Sequence, residues 1–454
     1  MAKGITPICA DAVILVPGIM GSELVDLKTG TTLWGLSAKG YASLWTSGSL
    51  WARLKVTDDE RDGKTGRVRA TRLLTAPAFA PVLRGIEPYS RLMAGIRAIA
   101  LHRDAVLEYP YDWRLPVAYN AARLATVAEQ HLRNWRRHPC GRPDAKLVLV
   151  AHSMGGLIAK FFTGALGGGG EVRQTVTIGT PFQGAVKTVF MLDRGRGTPL
   201  PLPRQRLMTL ARTLPGVYDL LPSYRCVEED STLRRLTPTD VGDLGGDPDL
   251  ARTAFGLHQT LAGVQVSGLR TMVGIEQPTM QSLQLRHGAA EPQYYICEDD
   301  GRIDWRGDGT VYVQVATGGV EPISSLPQSH GALARTPEAI AAVRAVLTRR
   351  RLGPPMGVAG VSLRVPESVV AGEPFEISVT SQGDGRNAKC RIVDADTDMP
   401  TARPFLTRRR TAMVASARLP RPGLYRIEVK DGGFSAVSQL VMAVTNIPDA
   451  HVPR

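Results

Sequence analysis

The stretch Val148–Phe162, VLVAHSMGGLIAKFF, decides how the rest of the chain is read. VLVAH is an aliphatic run ended by small residues, as a buried strand requires. LIAKFF continues apolar on the far side and reads as a buried helix. Between them, AHSMGG places a single serine, Ser153, on the strand-to-helix turn, with Ala151 two residues before it and Gly155 two after. Small residues at those positions are what a strained nucleophile elbow needs, because its neighbours crowd the serine. Ala151 replaces the first glycine of G-x-S-x-G, which adds only a methyl group. A plain packing turn between strand and helix uses the same residues, so the remainder of the chain must discriminate.

The flanking segments alternate in the same way. Ala12–Gly18 (AVILVPG), Arg103–Trp113, KLVLVAHS, Gln174–Pro181 and Leu269–Ile275 read as strands. Val117–Arg137 and Thr336–Arg350 read as helices, the second with Thr336 as N-cap and Pro337 at the first helical position. Alternation of this kind predicts an α/β fold with a mostly parallel sheet. Two insertions, at about 27–80 and 185–268, break the pattern where a catalytic α/β domain carries a lid or cap. After Arg351 the texture changes. Residues 351–359 are Pro/Gly-rich and read as a linker. VSLRV, PFEISVTS, KCRIVDA, AMVASARL, LYRIEVK and QLVMAV then predict a small immunoglobulin-like β-sandwich over 360–447, with Tyr425 as a candidate corner tyrosine. The expected organisation is therefore a catalytic domain over 1–350 and a sandwich after the linker. The sandwich carries no catalytic cluster and reads as an interaction module, a targeting module or a stabilising cap.

Composition bounds the function classes. Fifty-five Lys and Arg against 42 Asp and Glu give a net charge of +13, which favours anionic surfaces. Arginine-rich composition alone accounts for the same charge. With no basic helix bearing interleaved aromatics, and no zinc-finger pattern, nucleic acid is not an expected partner. Five scattered cysteines, Cys9, Cys140, Cys226, Cys297 and Cys390, contain no CxxC pair and predict neither a disulfide framework nor a metal site. The N-terminal apolar run is too short for a membrane span and lacks a cleavage pattern, so the expected location is cytoplasmic, with peripheral membrane contact.

If Ser153 is a nucleophile, an acid and then a histidine should follow it in the chain. Asp308 lies at the tip of a Gly-Asp-Gly turn, with Asp299, Asp300 and Asp304 as nearby competitors. His330 precedes the last helix, and only His451 follows it. His258 and His287 come before Asp308 and break the order, and His152 is adjacent to the serine on the elbow and points elsewhere. Asp308 would hold the imidazole tautomer, and His330 would serve as base and then acid. Oxyanion donors are expected at the N–H of Met154, after the nucleophile, and at the N–H of Ile19 in ILVPGIMGSEL, after an early strand.

Taken in order, PGIMGSEL, YPYDWRLP, AHSMGG, GTPFQG and GDGTV resemble the lecithin:cholesterol acyltransferase family of the α/β-hydrolase superfamily, over residues 11 to 350. The resemblance implies an α/β-hydrolase fold, a Ser153–Asp308–His330 triad, oxyanion donors at Ile19 and Met154, and no cofactor. It also implies a lipid or acyl-ester substrate, and lipid-facing roles for Trp34, Trp45 and Trp51, with Trp113 of the YPYDWRLP motif as a further substrate contact. Packing of the tryptophans onto the core is the competing expectation. The chain departs from secreted members in lacking any cysteine between Cys9 and Cys140 to staple a lid, and from eukaryotic members in its β-module. The resulting expectation is a serine-dependent esterase, phospholipase or O-acyltransferase. Two alternatives stand beside it: a non-catalytic scaffold that retains the fold, and a membrane-targeted effector regulated by a protein partner on the β-module.

Overall fold

The computed structural model describes residues 8–35, 48–74, 89–196, 203–229, 232–298, 301–350, 360–381, 388–395, 397–431 and 435–445. Trp45, Asp299, Asp300, His451 and the 351–359 linker lie outside the described residues.

Six strands form one sheet in the order Ser324–Leu326, Leu269–Gly274, Val172–Ile178, Leu147–His152, Ala12–Val16, Val106–Glu108. Every neighbouring pair is parallel. All residues of Ala12–Val16 and Leu147–His152 are buried. Successive side chains point to opposite faces, so unbroken burial means that both faces of these central strands are covered. The Val117–Arg137 and Met154–Lys160 helices both pack against the Ala12–Val16 strand. The Ser324–Leu326 strand has no counterpart among the segments read from sequence, being only three residues long and polar in two of them.

The first insertion is folded into the main core. Ser22–Asp26, Thr32–Trp34 and Val68–Leu73 form a three-stranded antiparallel sheet, and the Gly48–Leu54 helix buries Trp51 and Leu54. The second contributes helices at Lys187–Arg194, Arg204–Ala211, Pro238–Asp243 and Pro248–Leu261. Its Arg225–Glu229 strand pairs with Ser282–Arg286, beyond residue 268. The accessory sheet therefore straddles a strand of the central sheet, because an edge at 225–229 must find backbone partners wherever the chain supplies them.

The C-terminal module is a two-sheet sandwich. Val361–Arg364, Pro374–Ser381, Ala412–Arg418 and Thr407–Arg409 make one sheet. Ser368–Val370, Val437–Val444, Gly423–Lys430, Lys389–Asp394 and Pro400–Ala402 make the other. Leu363, Ile377 and Val379 from the first meet Ile392, Ile427 and Val441 from the second in a separate core. The Tyr425 hydroxyl donates to Arg421 O at 3.1 Å, which is the bond a tyrosine corner makes to the backbone just upstream.

All five cysteines are free. No helix among the described residues is long and apolar enough to cross a membrane.

Candidate active site

Parallel strands present all their carboxyl ends to one edge of the sheet, and the loops leaving that edge converge. Pro17–Ile19 follows the first strand, Ser153 follows Leu147–His152, Gly179 follows Val172–Ile178, and Gln328–His330 follows Ser324–Leu326. Asp308 reaches the same place from further along the chain, through a bridge to Gln277 just after Leu269–Gly274.

Ser153 sits at φ 52° and ψ −125°, a conformation that L-residues rarely adopt and that persists only where the surroundings over-determine it. The turn is tight enough to exclude side chains around it. A Cβ on Gly155 would lie 2.5 Å from Pro17 O, and one on Gly156 would lie 2.0 Å from Thr180 Oγ1. These contacts give the glycines of AHSMGG their physical reason.

The structure brings Ser153, Asp308 and His330 into one hydrogen-bonded line. Ser153 Oγ lies 2.8 Å from His330 Nε2, and His330 Nδ1 lies 2.7 Å from Asp308 Oδ2. The other carboxylate oxygen of Asp308 accepts the N–H groups of Thr310 at 2.9 Å and Val311 at 2.8 Å. Both oxygens of this buried carboxylate thus have hydrogen-bond partners. Asp304 is engaged elsewhere, accepting from Gln281 Nε2 and from the Arg306 N–H. His258 is buried against Asp219 O, and His287 lies on a turn at positive φ.

His152 takes its hydrogen-bond partners from Tyr89 and His330 O. Burial, reinforced by nearby His330, pulls its pKa down to about 3, so the ring is neutral. Its Nδ1 lies 2.9 Å from the Tyr89 hydroxyl, and its Nε2 lies 3.3 Å from His330 O. Tyr89 in turn accepts the Gly18 N–H at 2.8 Å. One assignment satisfies every atom: the tyrosine donates to Nδ1, and Nε2–H donates to the carbonyl.

The Pro17–Ile19 loop lies directly against the elbow, since a Cβ on Gly18 would come within 2.9 Å of Ser153 Cβ. Tyr111 donates to Pro17 O at 3.0 Å, fixing the loop from its other side. The Gly18 N–H is consumed by Tyr89, which leaves Ile19 as the next donor along the loop. Met154 is the first residue of its helix, where the N–H has no intrahelical acceptor. Tyr89 and Tyr111 were not among the residues expected at the site. Tyr111 lies within YPYDWRLP and was within reach of a motif argument; Tyr89 carries no local signal.

For the described tryptophans, burial favours the competing expectation of core packing. Trp34, Trp51 and Trp113 are 3%, 4% and 0% exposed. Trp34 donates to Met20 O at 2.9 Å and Trp113 to Ser22 O at 3.2 Å, while their rings meet edge-on at 5.3 Å. The indole N–H groups of Trp34 and Trp113 have each found a backbone carbonyl, which lets those rings be buried whole. These residues are core, not a bilayer-facing surface. Trp51 borders a shallow pocket with Lys55, Arg206 and Leu210.

The motif YPYDWRLP has a further structural meaning. Arg114 is fully buried and forked onto Asp112, with Nε at 2.9 Å and an NH2 nitrogen at 2.7 Å, and it also reaches Glu60 at 2.9 Å. Burial alone would raise the Glu60 carboxyl, but hydrogen bonds from Arg114 and Arg67 bring it below its ordinary value. The cluster ties the first insertion to the central fold. Among the described residues one group has metal-ligand spacing, His102, Asp104 and His138. It lies where strands begin, at the edge opposite Ser153, and His102 Nδ1 already accepts the Asp104 N–H.

A parallel sheet with a strained serine at its carboxyl edge, lined up with a histidine and an aspartate in that spatial order, defines an α/β-hydrolase. Within that class the chain is lecithin:cholesterol acyltransferase-like: the family described as lecithin:cholesterol acyltransferase matches residues 71–237, which contain the YPYDWRLP, AHSMGG and GTPFQG motifs. No curated protein matches the chain. Among solved structures, the Bacillus licheniformis lipase BlEst2 in its propeptide form is similar at 10% identity over 96% of this chain and 94% of that one, with a TM-score of 0.34. Its mature form gives 12% identity, 77% and 95% coverage, and a TM-score of 0.33. A superoxide reductase (neelaredoxin) from Ignicoccus hospitalis covers 18% of this chain and 79% of its own at 10% identity and a TM-score of 0.15. Likenesses this weak carry no argument; the assignment rests on the sheet, the elbow and the family match.

Proposed function

We propose that the protein is a serine-dependent lipid esterase or acyltransferase. Ser153 Oγ attacks the ester carbonyl while His330 Nε2 takes its proton. The Ile19 and Met154 N–H groups hold the oxyanion of the tetrahedral intermediate. Collapse breaks the ester C–O bond, and the leaving alkoxide takes the proton back from His330, leaving an acyl-Ser153 enzyme. Water or a lipid alcohol then gives its proton to His330 and attacks the acyl carbon, and release of Ser153 completes the cycle. Asp308 keeps the proton on His330 Nδ1 and stabilises the imidazolium in both halves. The observation that carries this reading is the unbroken Ser153–His330–Asp308 line ending on an elbow serine at φ 52°. The net charge of +13 supports encounter with anionic lipid surfaces.

The test is lipid mass spectrometry on anionic and zwitterionic phospholipid vesicles incubated with the wild type or Ser153→Ala. Lysolipid and free fatty acid from the wild type alone support a phospholipase, and acyl transfer to an added lipid alcohol supports a transferase. Equal turnover by both proteins would remove Ser153 from the chemistry. No turnover by either would favour a non-catalytic scaffold.

A further inference from the structure

Two glutamines join the acid and histidine loops to the C-terminal sandwich, and they do so in the same way. Gln277 is 1% exposed and Gln328 is 3% exposed. The Gln277 N–H donates to Gly307 O at 2.8 Å, so its backbone is stitched to the turn that carries Asp308. Its side-chain Nε2 donates to Val361 O at 2.7 Å, and its Oε1 accepts the Leu363 N–H at 3.2 Å. Gln328 stands two positions before His330. Its Nε2 donates to Ala436 O at 3.0 Å, and its Oε1 accepts the Ser438 N–H at 3.3 Å. In each case one carboxamide bonds the carbonyl of one residue and the N–H of the residue two further on. That is the pairing a neighbouring strand would make. Ser329, between Gln328 and His330, adds a bond from its Oγ to Ser438 O at 2.8 Å.

A carboxamide is the one uncharged side-chain group that supplies donor and acceptor together at this spacing. A buried leucine of similar size would leave a strand-edge carbonyl and N–H unpaired. Interface packing alone does not ask for such groups in two places, each beside a member of the candidate triad. The remaining anchors of the His330 loop lie within the catalytic domain: the His330 N–H donates to Asp308 O at 2.8 Å, the Gln328 N–H to Leu326 O at 2.8 Å, His152 Nε2 lies 3.3 Å from His330 O, and the next helical turn bonds back to Ser329 O. The imidazole must hold its two short bonds to Ser153 and Asp308 at once, which a loop free to shift cannot do.

We infer that the β-sandwich is a working part of the active site, with Gln277 and Gln328 as positioning residues through which its strand edges hold the Asp308 and His330 loops. The inference rests on the triad reading of the previous section. It gives the module a role inside its own chain, whatever else it binds.

The test uses the full chain with Gln328→Met and Gln277→Met, which keep length and remove both hydrogen bonds. Ser435→Ala is the control: it removes a sandwich contact to Glu338 on the following helix that touches neither loop. Three readouts are taken: kcat and KM on p-nitrophenyl butyrate, thermal unfolding, and the far-downfield proton resonance of His330 Nδ1–H. Both glutamine variants should lose kcat by roughly 10- to 100-fold, the scale of a small misplacement of a reacting group. KM should stay near wild type, and the resonance should broaden or vanish. Ser435→Ala should shift only the unfolding midpoint.

If Gln328→Met does not fold, Ser329→Ala decides the same point by removing the hydroxyl bond to Ser438 and its long contact to Gln328, with a several-fold loss of kcat at retained stability. Wild-type kcat and an intact resonance in the folded variants would reduce the interface to a stability element and overturn the inference. A wild type that shows the resonance, loses it in the glutamine variants and turns over no ester would sink the ester chemistry while sustaining the brace. Ester turnover unimpaired in Ser153→Ala, with no downfield resonance in the wild type, would sink both.

Discussion

The Tyr89 hydroxyl accepts the Gly18 N–H at 2.8 Å across 71 positions of sequence. It lies 2.9 Å from His152 Nδ1, so one phenol fixes the loop that precedes the Ile19 donor and also holds the neighbouring imidazole in place. Tyr89→Phe removes the hydroxyl and leaves a buried N–H without a partner, at a cost of about 1–3 kcal/mol. The expected outcome is a kcat reduced by roughly 10- to 100-fold, below the loss from deleting an oxyanion donor outright, with KM little changed. Steady-state kinetics on a soluble ester, alongside urea unfolding, separates the two effects.

Asp308→Asn should fold normally, because its Oδ1 still accepts the Thr310 and Val311 N–H groups. The amide nitrogen then faces His330 Nδ1 and forces the proton onto Nε2, where it can no longer accept from Ser153. A loss of about 10⁴-fold in kcat near neutral pH is expected from the wrong tautomer. Retention of more than a tenth of wild-type kcat would transfer the acid role to another carboxylate.

Arg114→Ala should destabilise the fold without direct effect on the chemistry. The substitution strands the buried carboxylate of Asp112, bonded at 2.7 Å, and leaves Glu60, bonded at 2.9 Å, with Arg67 as its remaining cation. Breaking such a buried pair from one side costs roughly 3–5 kcal/mol. Arg114→Lys should recover little, since a point charge cannot reproduce the fork on Asp112. Chemical denaturation is the measurement, and a midpoint within error of wild type would refute it.

Stability should rise with pH between about 4 and 6.5 on account of three buried groups. Burial lowers His152 to about 3 and His258 to about 4, and raises Asp219 to about 7 against the opposing Val117 N–H bond. In this window both histidines are neutral in the native state and protonated when unfolded, so their contribution is lost as pH falls from 6.5. Asp219 works in the other direction, protonated when folded and ionised when unfolded, so its contribution is lost as pH rises towards 7. These two histidines outweigh the one carboxyl, and His131, which burial also lowers, adds to the same sign, so the unfolded state holds more protons. Asp219→Asn should therefore steepen the rise and His258→Gln should flatten it. His258 alone is worth on the order of 3 kcal/mol across its window. Urea unfolding at a series of pH values reads both slopes, and identical slopes in all three proteins would contradict the assignment.

Much of the site was legible because its signals are local. Ser153 is announced by the small residues that its strained turn demands, and Gly155 and Gly156 show that demand as close contacts with Pro17 and Thr180. His330 could be reached by chain order and elimination. Asp308 could be preferred over Asp304 because two flanking glycines make a sharp tip. Other features had no local signal. Nothing near Tyr89 says that its hydroxyl will meet Gly18, and nothing near Gln277 or Gln328 says that a carboxamide will complete a strand edge in another module. The tryptophans could not be placed either way, since an indole is buried only if some backbone carbonyl meets its N–H.

The sequence by itself determined the strand and helix alternation, the elbow at Ser153 and the change to a β-module after residue 350. Each of these is written in the periodicity and residue size of contiguous segments. Only the tertiary structure decided which side chains complete one another across the fold: Tyr89 with Gly18, Trp34 with Met20, Arg114 with Glu60, and Gln328 with the edge at Ala436 and Ser438. The physical reason is that a buried polar group takes the partner that the packing brings within about 3 Å, and separation along the chain places no bound on which residue that is.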